Sequence, residues 1–85
     1  MNDKAERGGH EIVIAGREIK WTGDTISYEQ IVAEWNKLDP SRQVQGQPGI
    51  DWKYDTGESG ILYPGEEIEK VFDGLIITID PAHLS

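Results

Sequence analysis

The chain contains no cysteine, which excludes disulfides, thiolate nucleophiles and cysteine-based zinc sites. Its two histidines, His10 and His83, stand near opposite ends and are too few for a metal cluster, so no metal or cofactor is expected. Basic residues are scarce: eight Lys and Arg face sixteen Asp and Glu, for a net charge of −8. That balance argues against nucleic acid or an anionic membrane surface as partner, and for a basic one. Long apolar runs are missing as well, so no segment can span a bilayer. The polar, charged start is unlike a signal peptide, and the expected location is the cytoplasm. These exclusions leave one small acidic α+β domain of 85 residues.

The clearest local signals that are present lie in residues 25–38. Ser27 has the side chain of an N-cap, and Gln30 is three residues on, the spacing of a capping box. Ile26 before the cap and Ile31 after it are placed for a hydrophobic staple. Ile31, Trp35 and Leu38 then recur at i, i+4 and i+7, flanked by Tyr28 and Val32, with Glu29, Glu34 and Lys37 on the wet side. Asp39 and Pro40 end the pattern. One helix is predicted, with Trp35 central in its apolar stripe and buried under whatever the stripe meets.

In chain order, residues 1–9 read as a flexible polar tail, residues 10–80 as the folded domain and residues 81–85 as a C-terminal tail. Residues 10–15 and 17–22 alternate as two strands joined by a two-residue turn at Ala15 and Gly16. The register that sets Ile12 opposite Ile19 places His10, Ile12, Ile14, Ile19 and Trp21 on one face. Glu11, Val13, Glu18 and Lys20 fall on the other, and a one-residue slip would pair apolar with charged positions. Residues 41–49 read as a loop and residues 50–54 as a third strand with Ile50, Trp52 and Tyr54 on one side. Residues 66–69 are a candidate short edge strand, with Pro64 and the nearby charges as its guard. Asp73 and Gly74 form a turn. Residues 75–79, the most apolar run in the chain, read as a final strand, and so apolar a strand belongs in the centre of a sheet.

Hairpin, helix, strand, short strand and central last strand make a mixed sheet of four to five strands packed on one helix. That is the ubiquitin-like β-grasp layout, α+β in class. At this point the residues carry a resemblance. Ile12-Val13-Ile14-Ala15-Gly16-Arg17-Glu18 with Trp21, Ile26-Ser27-Tyr28-Glu29-Gln30-Ile31-Val32, Gly60-Ile61-Leu62-Tyr63-Pro64-Gly65-Glu66 and Asp73-Gly74-Leu75-Ile76-Ile77-Thr78-Ile79 follow one another in an order and spacing similar to the bacterial ubiquitin-like modifiers. Those multiubiquitin-domain proteins are encoded beside activating, conjugating and deconjugating enzymes in anti-phage operons. The likeness spans roughly residues 10 to 80.

The resemblance implies a protein modifier that catalyses nothing itself. Its C-terminal carboxylate would be adenylated by an activating enzyme, passed to a conjugating enzyme, joined to target proteins and released by a deconjugating peptidase. The conjugation tail would be Pro81, Ala82, His83, Leu84 and Ser85, with Ser85 or a residue exposed by trimming as the reactive end. Here the chain departs from ubiquitin and the sulfur carriers, which end in a slim Gly-Gly. Pro81 denies the sheet a backbone donor, and five extended residues at ~3.3–3.6 Å each reach roughly 17 Å. Val13 and Ile76 are expected on the sheet face away from the helix, as a small apolar patch for enzyme docking. The competing reading is a non-conjugated β-grasp interaction or scaffold module; a sulfur carrier is disfavoured by the missing diglycine. Trp21, Trp35 and Trp52 are read as packing residues, the run Glu66, Glu67 and Glu69 as a solvated face, and His83 as a passive tail residue.

Overall fold

Two reciprocal hydrogen bonds start the helix. The computed structural model describes residues 9–38 and 47–80. In it the Ser27 hydroxyl accepts the Gln30 N–H at 3.0 Å, and Gln30 Oε1 accepts the Ser27 N–H at 2.9 Å. This is the capping box expected from the sequence, and it opens α1 (Tyr28–Leu38), the one helix among the described residues. Ile26 and Ile31, the staple pair, are fully buried.

The hairpin of β1 (His10–Ile14) and β2 (Arg17–Trp21) has the expected register, with Ile12 opposite Ile19. Its turn places Ala15 at φ 51° and Gly16 at φ 82°, the two left-handed residues that a type I′ connection requires. Four short strands follow the hairpin: β3 (Ile26–Ser27), β4 (Gly49–Lys53), β5 (Ser59–Leu62) and β6 (Glu67–Ile68). β7 (Ile76–Asp80) closes the fold. The main sheet has five strands in the order β2-β1-β7-β4-β5, and β3 pairs with β6 in a small second sheet. β7 runs parallel to β1 and antiparallel to β4, so the last strand is central and the sheet mixed. This is an α+β, β-grasp-like architecture.

One core lies between the inner sheet face and α1. Ile12, Ile14, Ile50, Leu62, Ile77 and Ile79 reach it from the main sheet, Tyr28 and Ile31 from the helix, Ile26 and Ile68 from the small sheet, and Val71 and Leu75 from the segment before β7. Trp21, Trp35 and Trp52 are half-buried and pack against its rim.

The structure corrects four sequence-based expectations. First, one edge of the main sheet is Ser59–Leu62, outside the strands expected from the sequence, and the strand expected at 66–69 is the two-residue β6 against β3. The cause is the Tyr63-Pro64-Gly65-Glu66 turn. Gly65 sits at φ 85° after Pro64, the Glu66 N–H donates to the Tyr63 carbonyl at 3.0 Å, and the chain folds back toward the helix start. There Glu66 accepts the Tyr28 N–H at 2.9 Å, and Glu29 accepts the Gly65 N–H at 3.0 Å. Second, because this anchorage holds the first turn of α1, the helix buries Tyr28 and Ile31 deepest, and Trp35 lies at the rim rather than beneath the sheet. Third, Glu34 is half-buried and meets Lys37 at 3.1 Å instead of facing water. Fourth, the last strand starts one residue late and alternates, burying Ile77 and Ile79 while Ile76, Thr78 and Asp80 face out. Residues 1–8 of the tail expected at 1–9, the helix stop at 39–40, the loop portion 41–46 and the tail at 81–85 lie outside the described residues.

Candidate functional site

The outer face of the sheet is built by the same alternation that fills the core. Because Ile12 and Ile14 point inward on β1, Val13 points outward; because Ile77 and Ile79 point inward on β7, so do Ile76 and Thr78 point outward. The parallel pairing of these strands makes Val13 and Ile76 register partners. The two residues singled out in the sequence are thus brought together, Val13 half-buried and Ile76 45% exposed. The ladder that joins them runs through the Val13 N–H to the Leu75 carbonyl and the Ala15 N–H to the Ile77 carbonyl, both 2.9 Å.

Register extends the row sideways. Glu18 lies opposite Val13 on β2, Lys53 opposite Ile76 on β4, and Ser59 opposite Lys53 on β5. The next row is Thr78, Asp51 and Ile61. Ile61, 58% exposed, belongs to the same face and lies outside the strands expected from the sequence. The signal that could have found it is the apolar run Ile61-Leu62-Tyr63 ahead of a Pro-Gly turn. A shallow depression of ~330 Å³ lies between Ile76 and Ile61, with Asp51, Lys53, Ser59 and Thr78 around it. It has an aliphatic centre and mixed charge at its border, with Asp51 and Lys53 both exposed.

The face is positioned relative to the chain's exit by β7. Asp80, paired with Gly49, lies four residues beyond Ile76, which at ~3.3 Å per residue is about 13 Å along the strand. Pro81, Ala82, His83, Leu84 and Ser85 continue from that point and lie outside the described residues. His10 begins β1 at the other end of the sheet, its Nε2 at 3.4 Å from Asp24 Oδ1.

The polar groups that are withdrawn from water serve the fold. Tyr28 donates its phenol to the Pro48 carbonyl at 2.7 Å, and Tyr54 donates to the Lys70 carbonyl. Burial raises both phenols above the ordinary 10.0, with smaller contributions from Glu29 at Tyr28 and Glu58 at Tyr54, so both remain donors at neutral pH. Asp73 accepts the Glu11 N–H at 2.8 Å, and the Gly74 N–H, at φ 89°, donates back to the Glu11 carbonyl at 2.9 Å. That clasp ties the turn before β7 to the start of β1 and fixes the register beneath Val13 and Ile76. Among the described residues no three His, Asp or Glu side chains are grouped to hold a metal ion, and no helix is long and apolar enough to cross a membrane. Compared with known proteins, the chain matches no family model, no curated protein and no solved structure.

Proposed function

We propose that this chain is a ubiquitin-like modifier, joined to target proteins through a carboxylate in the segment that follows Asp80. The observation that carries the reading is the placement of β7. This central strand carries Ile76 on its outer face beside Val13 of β1 and leads in sequence into Pro81, the first residue of the proposed tail. A docked enzyme could hold the patch and receive the tail in one engagement, because roughly 13 Å of strand and ~17 Å of extended tail span the distance to an active site. The chemistry would belong to the partners. A tail carboxylate attacks the α-phosphorus of ATP, pyrophosphate leaves, and an enzyme thiol displaces AMP to give a thioester. An amine or hydroxyl on the target then takes the acyl group and the thiol is released. The sequence resemblance supplies the partner classes: activating, conjugating and deconjugating enzymes of one operon, in a bacterial anti-phage setting. The net charge of −8 favours a basic enzyme surface and a salt-sensitive encounter rate.

The test is mass spectrometry after incubation with ATP and the activating and conjugating enzymes of the same operon. The intact chain should gain an adenylate or thioester adduct and appear on targets. The chain ending at Asp80 should stay folded and gain neither. Attachment of the shortened chain would refute a role for the tail, and no adduct on the intact chain would favour the interaction-module reading.

A further inference from the structure

A second surface adjoins the outer face at Ile61 but uses different groups, the backbone of the free edge of β5. Among the described residues no strand pairs with the outer side of Ser59–Leu62. The hairpin into it closes with the Tyr54 N–H bonded to the Glu58 carbonyl at 2.8 Å. Antiparallel alternation then turns the backbone groups of Gly60 and Leu62 toward β4 and those of Ser59 and Ile61 outward. Two N–H and two C=O groups are therefore presented in strand geometry. Most exposed edges are guarded by charge, proline or a bulge. Ser59-Gly60-Ile61-Leu62 carries no charge, and Pro64 comes only after the strand has ended.

The two sides of this edge differ in chemistry. On the outer side stands Ile61, more than half exposed. On the inner side Gly60 has no side chain, and the Trp52 indole fills that space: a Cβ on Gly60 would meet Trp52 Cζ2 at 2.6 Å. A groove of ~400 Å³ runs from this ring along the edge at Ile61 and Leu62 to Glu66, Glu67 and Glu69. We infer that the β5 edge accepts an extended segment of a partner protein as a sixth strand, with aliphatic residues alternating with Lys or Arg. Period-two alternation sends the aliphatic side chains to the face of Ile61 and the cationic ones toward Trp52 and the three glutamates. A cation over the indole gains from the ring's electron-rich face as well as from the carboxylates. A second copy of this chain is the wrong occupant, because two bodies of −8 repel and a second β5 edge brings no lysine or arginine. The inference does not rest on the conjugation reading.

The probe is a capped synthetic peptide of about six residues alternating lysine and valine, titrated into the full chain and followed by backbone amide NMR. Shifts should centre on 59–62 and the Trp52 indole, and affinity should fall at least ~tenfold between about 50 and 500 mM salt. Ile61→Pro removes an outward donor without touching the β4 ladder, so it should weaken binding ~tenfold or more. Ile61→Lys keeps the backbone, adds a like charge to the peptide's and serves the same purpose if the proline variant does not fold. A glutamate-valine peptide should not bind. Undiminished binding to both variants, shifts centred on Val13 and Ile76, equal binding of the acidic peptide, self-association through β5, or no binding at millimolar peptide would each overturn the inference.

Discussion

The two edges of the main sheet solve the same problem differently. β2 presents Arg17, Glu18 and Lys20 along five residues, and the Trp21 indole N–H is tied to the Thr25 carbonyl at 2.7 Å. β5 presents four residues without a charge. Inward the contrast reverses: β2 contributes half-buried Ile19 and Trp21, while β5 contributes Leu62, only 4% exposed. The lesson is that an edge strand's packing and its availability are set independently. Packing follows the residues that face the core, and availability follows what the other positions offer to a passing strand. β2 is weakly anchored and guarded, whereas β5 is firmly anchored and open.

The strongest way to break this comparison is to remove one inward side chain from each edge. Leu62→Ala should cost about 2–4 kcal/mol, in the range for emptying a buried aliphatic site. Ile19→Ala should cost about half as much, because part of its surface is already in water. Equal losses in chemical denaturation would show that the edges are equally anchored.

A smaller effect is expected from the non-inward positions. Gly60→Val must displace the Trp52 ring and should cost about 1–3 kcal/mol, as overpacking does, with a change in tryptophan emission. Lys20→Val on β2 exchanges one exposed side chain for another and should change stability by no more than ~0.5 kcal/mol. A silent Gly60→Val would mean that the indole is free to swing away.

The smallest effect is alkaline. Tyr54, whose ring lies 5.2 Å from Trp52 and 5.7 Å from Phe72, sits behind the β5 hairpin, and β2 has no tyrosine. Its phenol and that of Tyr28 are raised in the folded chain, so the native state keeps protons that the unfolded chain loses. Stability from these groups is therefore full below the ordinary 10.0 and falls as pH climbs past it. Thermal melts between pH 9 and about 11 should show that decline, and Tyr54→Phe should flatten it in part. An unchanged pH profile in Tyr54→Phe would assign the decline to Tyr28.

The parts of this fold that depend on neighbours in the chain can be read from local pattern. Ser27 and Gln30 are three residues apart whatever the fold, so the helix start was legible. The Ile12–Ile19 register followed from alternation across a two-residue turn, and the centrality of the last strand from its apolar run. The adjacency of Val13 and Ile76 needed only those strands and their faces. The remainder depends on contacts between segments distant in the chain. Two-residue strands such as Ile26–Ser27 and Glu67–Ile68 have no period to detect, and their pairing exists because the Pro64-Gly65 turn brings the chain back to the helix start. Trp35 looked central because periodicity counts residues around a helix, whereas its rim position depends on where along the helix the sheet makes contact. The β5 edge was hidden for the same reason. Whether Ile61 faces water, and whether its backbone is free, is settled by which strands lie beside it, and strand neighbours far apart in the chain leave no local mark on the sequence.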